Sequence, residues 1–86
     1  MGAITSYIKE AMRLAEYEII EDEEPYYGHI PGLEGVWAAG KTLEACRDEL
    51  ESVLEDWILL GLRFGDQIPV LAGIDLNVSR KPLEVY

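Results

Sequence analysis

Residues 26–42 read YYGHIPGLEGVWAAGKT, and this stretch decides the fold. It holds two short segments rich in aromatic and small apolar residues, 26–30 and 36–39, and each of them ends at glycine or proline, the usual residues of turns. Upstream, residues 16–22 alternate in the period-two pattern of a strand and lead into an acidic turn at residues 23–25. The sequence therefore predicts three short strands that follow one another in an antiparallel meander.

Two helices are predicted on either side of this meander. Apolar residues recur at helical spacing over residues 4–15, and again, after Thr42 as the N-cap, in a longer helix that ends between Gly61 and Gly65. The apolar positions of the longer helix are Leu43, Cys46, Leu50, Val53, Leu54, Trp57 and Leu60 or Gly61. A last strand is predicted over residues 74–78. The fold class is α+β: a three- to four-stranded antiparallel sheet covered by one long helix, with an extra N-terminal helix.

The length and the net charge of the chain limit the number of domains and the kinds of partner it can have. The 86 residues suffice for a single domain over 1–86, with a core at 17–78 and a short tail at 79–86. Seventeen acidic against seven basic residues give a net charge of -10, which disfavours direct binding to nucleic acid and favours a basic protein partner. A small core with unpaired sheet edges also favours a dimer or a higher even oligomer. With one cysteine, no signal peptide and no apolar membrane span, we expect a cytoplasmic protein.

Several segments together resemble the HicB-type antitoxins of bacterial toxin–antitoxin pairs: residues 17–20, 26–35 and 40–45, in this order and spacing. The resemblance implies a partial ribonuclease-H-like fold, no catalysis, self-association, and neutralisation of a small basic RNA-cleaving toxin of the HicA type. The chain departs from the family pattern at Glu34, at Cys46 and in its extra N-terminal helix. The eight residues after Val78 are too few for the C-terminal DNA-binding domain that many members carry, so autorepression by this chain alone is not expected.

Several side chains could in principle bind a metal or act in catalysis, but each also has a purely structural interpretation. The acidic run 21–24 could hold a cation or act as paired acids, but a solvated hairpin turn is the favoured interpretation. His29 lacks companion ligands or a nucleophile, and an exposed or interface position is favoured for it. Cys46 fits a small core position better than a reactive thiol. Gly40, Lys41 and Thr42 form only a fragment of a phosphate-binding loop, which turn geometry explains.

The aromatic residues of the meander leave two interpretations open: Tyr26, Tyr27 and Trp37 either pack on the sheet or form a partner surface. We predict no catalytic residue, metal or cofactor. The predicted partner-binding residues are Glu21, Asp22, Glu23, Glu24, Tyr27, His29 and Trp37. The predicted function is that of an antitoxin that neutralises a basic toxin. The alternatives are an orphan homo-oligomeric binding module without a toxin and, less favoured, a small acid-using hydrolase.

Overall fold

The computed structural model describes residues 2–76. Its elements follow the order α1 (Ala3–Leu14), β1 (Glu16–Ile19), β2 (Tyr26–His29), β3 (Trp37–Gly40) and α2 (Leu43–Phe64). The three strands form one antiparallel sheet in the order β1-β2-β3. The predicted α+β class, the meander and both helices are confirmed. Among the described residues the sheet has three strands, the lower of the two numbers expected.

Helix α2 begins and ends where the sequence predicts. The Thr42 hydroxyl accepts a hydrogen bond from the Ala45 N–H at 3.0 Å, as an N-cap does, and Glu44 lies in the first turn near the positive end of the helix dipole. At the other end Gly65 adopts a left-handed conformation with φ of 76°, which costs a residue without Cβ little. Both ends of α2 are thus fixed by local chemistry.

The core lies between α2, the sheet and α1. One stripe of α2 is fully buried, and α2 packs mainly on β3 and β2. Helix α1 contributes Tyr7, whose hydroxyl donates a hydrogen bond of 2.6 Å to the Pro69 carbonyl and so ties α1 to the segment that follows α2. That segment returns close to the helix, because a Cβ on Gly61 would lie only 2.6 Å from Cδ1 of Ile68. The buried residues of the α2 stripe are Cys46, Leu50, Leu54, Ile58 and Gly61.

The predicted last strand is not formed in its described part. The Ile74 N–H donates to the Leu71 carbonyl at 2.7 Å, and the Leu71 N–H donates back at 3.2 Å, across a turn in which Ala72 and Gly73 have positive φ. The alternating pattern begins inside this tight turn. Ile74 therefore pairs with Leu71, three residues before it, and not with the sheet. Residues 77 and 78 and the predicted tail lie outside the described residues.

Where α2 packs on β3 and the middle of β2, the side of the sheet that faces the helix is made of small residues. The strand register places Gly28, Ala38 and Gly40 on this side, and all three are buried. A Cβ added at Gly40 would lie 2.5 Å from the backbone nitrogen of Cys46 and 2.9 Å from its Cα. The first turn of α2 can therefore rest on the sheet only because residue 40 has no side chain.

We expect Gly40→Ala to lower the free energy of unfolding by about 1 to 3 kcal/mol, because the new methyl group meets α2 backbone that cannot turn away. Chemical denaturation measures the loss. Gly28→Ala is the matched control: its methyl group would meet the Tyr17 ring at 2.8 Å and the Cys46 sulfur at 3.2 Å, side-chain atoms that can shift. A loss for Gly28→Ala equal to or larger than that for Gly40→Ala would contradict this account of the packing.

Candidate functional site

The other face of the sheet is not covered by any described element and carries the aromatic side chains. In the strand register Glu16 stands beside His29 and His29 beside Trp37, while Glu18 stands beside Tyr27. Alternation places these side chains on the side opposite Gly28 and Ala38. We call this surface the open face, defined by Glu16, Glu18, Tyr27, His29 and Trp37.

The aromatic rings of the open face form a continuous stack. The Tyr27 ring lies 5.9 Å from the His29 ring and 6.0 Å from the Trp37 ring, with interplanar angles of 29° and 27°. Trp37 is 55% exposed, an unusual position for so large an apolar side chain. The same rings and the loop at residues 30–36 line a shallow groove of about 340 Å³. An exposed aromatic cluster of this kind is typical of binding surfaces.

Carboxylates border these rings. Oε1 of Glu16 lies 3.5 Å from Nε2 of His29, and both side chains remain accessible to solvent. Glu18 is exposed one row further along the strand. Aromatic faces beside carboxylates attract arginine and lysine, because the ring quadrupole and the negative charge both favour a cation.

The structure separates the predicted partner-binding residues into two groups. Tyr27, His29 and Trp37 lie together on the open face. Glu21, Asp22, Glu23 and Glu24 are exposed in the turn that joins β1 and β2, next to the Ile19–Tyr26 pair. That turn is at the far end of the sheet from the row of His29 and Trp37, about 10 Å along β2 at the usual rise per residue.

Two carboxylates of the open face, Glu16 and Glu18, were missed by reasoning from the sequence. The signal that could have found them is the alternation of β1, in which they point away from Tyr17. The sequence left open whether the aromatic residues pack on the sheet or form a partner surface. Tyr26 is half-buried on the side that faces α2, whereas Tyr27 and Trp37 belong to the open face.

Cys46 occupies a core position, as predicted. Its side chain is fully buried, and its Sγ donates a hydrogen bond of 3.6 Å to the Ala38 carbonyl. Burial raises the pKa of the Cys46 thiol above the ordinary value of 9.0, and the negative charge of Glu24 raises it further. A buried thiol with a raised pKa is a poor nucleophile at neutral pH.

Other kinds of site find no support in the part of the chain that is described. Between residues 2 and 76 no group of three or more histidine, cysteine, aspartate or glutamate side chains is arranged to hold a metal ion. Over the same residues, neither helix combines the length and apolar character needed to cross a membrane.

The fold and the open face together define a small α+β domain with one sealed and one unpartnered sheet surface. The chain belongs to the UPF0150-like family, whose model matches residues 6–69. A solved structure, that of TTHA0281 from Thermus thermophilus, is 51% identical, with a TM-score of 0.84 over 88% of this chain and 100% of that chain. No curated protein matches the chain.

The raised thiol pKa makes stability depend on pH at the alkaline end. Above about pH 9 the Cys46 thiol of the unfolded chain ionises while that of the folded chain stays protonated, so ionisation favours the unfolded state. The stabilising effect is complete below the unfolded pKa and is lost as pH rises above it. We therefore expect the free energy of unfolding to fall less steeply above pH 9 in Cys46→Ala than in the unchanged protein, as measured by urea unfolding.

Tyr7 serves as an internal control in this experiment. Burial alone raises the pKa of its phenol. Its contribution begins near pH 10 and is present in both proteins. Tyr17 is unsuitable as a control, because Cys46 helps to raise the pKa of its phenol. Identical pH dependence of the two proteins between the thiol and phenol ranges would show that Cys46 is not held in its protonated form by the fold.

Proposed function

We propose that this chain is a non-catalytic binding protein that pairs with a small basic protein and silences it, as HicB-type antitoxins neutralise HicA-type RNA-cleaving toxins. The observation that carries the proposal is the open face, where a stack of three rings, half-buried at Tyr27 and His29 and exposed at Trp37, lies beside carboxylates. The family relationship supports it, because UPF0150-like proteins are related to HicB-like antitoxins. The proposal includes no catalytic step and places the encounter in the cytoplasm.

The open face suits a cationic partner in particular. Trp37 offers the most favourable ring for a cation–π contact with arginine, and Glu16 and Glu18 can receive neighbouring basic side chains. A toxin that cleaves RNA must itself bind phosphates, and a basic RNA-binding surface is complementary to this one. Occupation of that surface would exclude RNA by competition, so the antitoxin needs no chemistry of its own.

The acidic turn has a different role in the proposal. Its four carboxylates are exposed at the end of the sheet, about 10 Å along β2 from the row of His29 and Trp37, so in the proposal they add long-range attraction and no buried contact. The net charge of -10 acts in the same sense over the whole molecule. Charge therefore governs the association rate, while the aromatic contacts govern dissociation.

The test begins with a search for a short basic reading frame beside this gene, whose product is the partner to be used and whose absence would favour an orphan module. We expect its product to co-purify with the chain and to lose its RNA-cleaving activity at a one-to-one ratio. Trp37→Ala should raise the dissociation rate about tenfold or more, because a buried tryptophan is the usual centre of such an interface. Leu59→Ala is the control, since Leu59 is 58% exposed and lies on α2, away from the open face.

The electrostatic part of the proposal has its own matched pair of variants. Conversion of Glu21, Asp22, Glu23 and Glu24 to amides should lower the association rate more than the same change at Glu44, Asp48, Glu51 and Glu55, four exposed carboxylates of α2. Both sets alter the net charge equally. Added salt should slow association and leave dissociation nearly unchanged. Absence of binding, or binding that leaves RNA cleavage intact, would exclude the antitoxin function.

The orphan homo-oligomeric module remains the second candidate, and one observation favours it: the outer edge of β3 is also free among the described residues. Co-purification decides between the two, since an orphan module would bind no product of a neighbouring frame.

A further inference from the structure

The loop between β2 and β3 borders the open face and carries a carboxylate of its own. It covers residues 30–36 and lines the shallow groove of about 340 Å³ together with the rings of Tyr27, His29 and Trp37. We call this the loop groove. Glu34 lies in its wall and is exposed. Because Glu34 is also a position at which the chain departs from the HicB-type pattern, this carboxylate distinguishes the chain from that pattern.

Backbone hydrogen bonds and buried side chains hold this loop in one shape. The Leu33 N–H donates to the Ile30 carbonyl at 3.1 Å, and the Val36 N–H donates to the Leu33 carbonyl at 3.3 Å. The side chains of these three residues are buried in the core. Gly35 turns the chain with a positive φ of 85°, which glycine adopts at little cost. The backbone that carries Glu34 is therefore fixed before any partner arrives.

The Glu34 carboxylate is available to a ligand. Between residues 2 and 76 it takes part in no ion pair, whereas Glu16, on β1, already lies 3.5 Å from Nε2 of His29. A carboxylate beside the faces of aromatic rings attracts a cation in two ways, through its own charge and through the ring quadrupoles. The loop groove is therefore complementary to a positively charged side chain.

The shape of the groove favours arginine over lysine. Tyr27 and Trp37 hold their rings 6.0 Å apart at an interplanar angle of 27°, so they present a nearly continuous flat surface. The guanidinium of arginine is planar, and it can lie on an indole ring while its N–H donors point sideways to a carboxylate. The ammonium of lysine is a compact, strongly hydrated charge, which gains less from a flat ring and makes no bidentate contact.

We propose that the loop groove binds one arginine side chain of the basic partner, with the guanidinium stacked on Trp37 and its N–H groups donating to the Glu34 carboxylate. The source of this arginine rests on the proposed function, which supplies a basic protein as the partner. Glu34 is thus the residue that determines specificity for arginine, and Trp37 is the surface on which the arginine lies. The contact adds a local requirement to the general attraction between opposite charges.

Position separates Glu34 from the other exposed carboxylates. The acidic turn at residues 21–24 lies at the far end of the sheet, and Glu55 is exposed on α2, which packs on the opposite side of the sheet. Neither lines the loop groove. Removal of one charge at Glu34 or at Glu55 alters the net charge of -10 equally. A difference between the two variants therefore measures the local contact and not the overall field.

A small probe tests the groove without the partner protein. NMR follows the indole N–H signals of Trp37 and Trp57 in the isotope-labelled full chain as N-acetyl-arginine amide or N-acetyl-lysine amide is added, and Trp57→Phe assigns the signals. Trp37 should shift saturably with the arginine derivative and bind the lysine derivative about threefold more weakly, while Trp57 stays in place. Glu34→Gln should weaken arginine binding about threefold or more and remove most of this preference. Glu55→Gln should leave both unchanged.

Three results would overturn the proposal: no shift of Trp37 with the arginine derivative at about 100 mM, equal binding of the two derivatives, or equal effects of Glu34→Gln and Glu55→Gln. Co-purification tests the proposed function separately. A complex that silences its partner while the probe fails would contradict the arginine site alone. A groove that selects arginine while no basic protein co-purifies would contradict the antitoxin function alone.

Discussion

The contact between Gly40 and the first turn of α2 is the constraint on which the rest of the structure depends. The helix backbone at Cys46 approaches the sheet so closely that no Cβ fits at residue 40. A flat inner side follows from this contact: Gly28, Ala38 and Gly40 form the surface on which the buried stripe of α2 lies. Alternation along β2 and β3 places Tyr27 and Trp37 on the other side, which no described element covers.

The packing surface and the proposed binding surface therefore both result from one alternation. The inner side supplies stability through close approach, apolar burial and the protonated thiol of Cys46. The outer side gains rings and carboxylates that contribute little to the core, and such exposed aromatic clusters are costly for a protein that does not use them. The same sheet ends at β3 without a partner strand among the described residues, so a free strand edge lies beside the open face.

Most of the fold could be predicted from the sequence, because its signals are local. The cap at Thr42, the stop at Gly65 and the alternation through residues 16–40 each depend on neighbours a few positions away. The turn at residues 71–74 was not predictable in the same way, since alternation in 74–78 is equally compatible with a strand and only the positive φ of Ala72 and Gly73 excludes it there.

The candidate site could be predicted only in part. Tyr27, His29 and Trp37 were chosen by residue type, but their assembly on one face depends on the register of three strands. Glu16 and Glu18 join them through that register alone, whereas the acidic run at residues 21–24, the more conspicuous feature in the sequence, lies at the end of the sheet. Composition thus indicated a basic partner without indicating which carboxylates lie beside the aromatic rings.

The central claim is that the open face is free in the isolated protein and covered by a basic partner. Acrylamide quenching of Trp37 fluorescence tests it most directly, in a Trp57→Phe variant that leaves Trp37 as the only tryptophan. The account predicts efficient quenching in the free protein, as befits a side chain 55% exposed, and a marked loss of quenching when the proposed partner, a small basic protein encoded beside this gene, is added. A complex that forms while the quenching of Trp37 stays unchanged would contradict it.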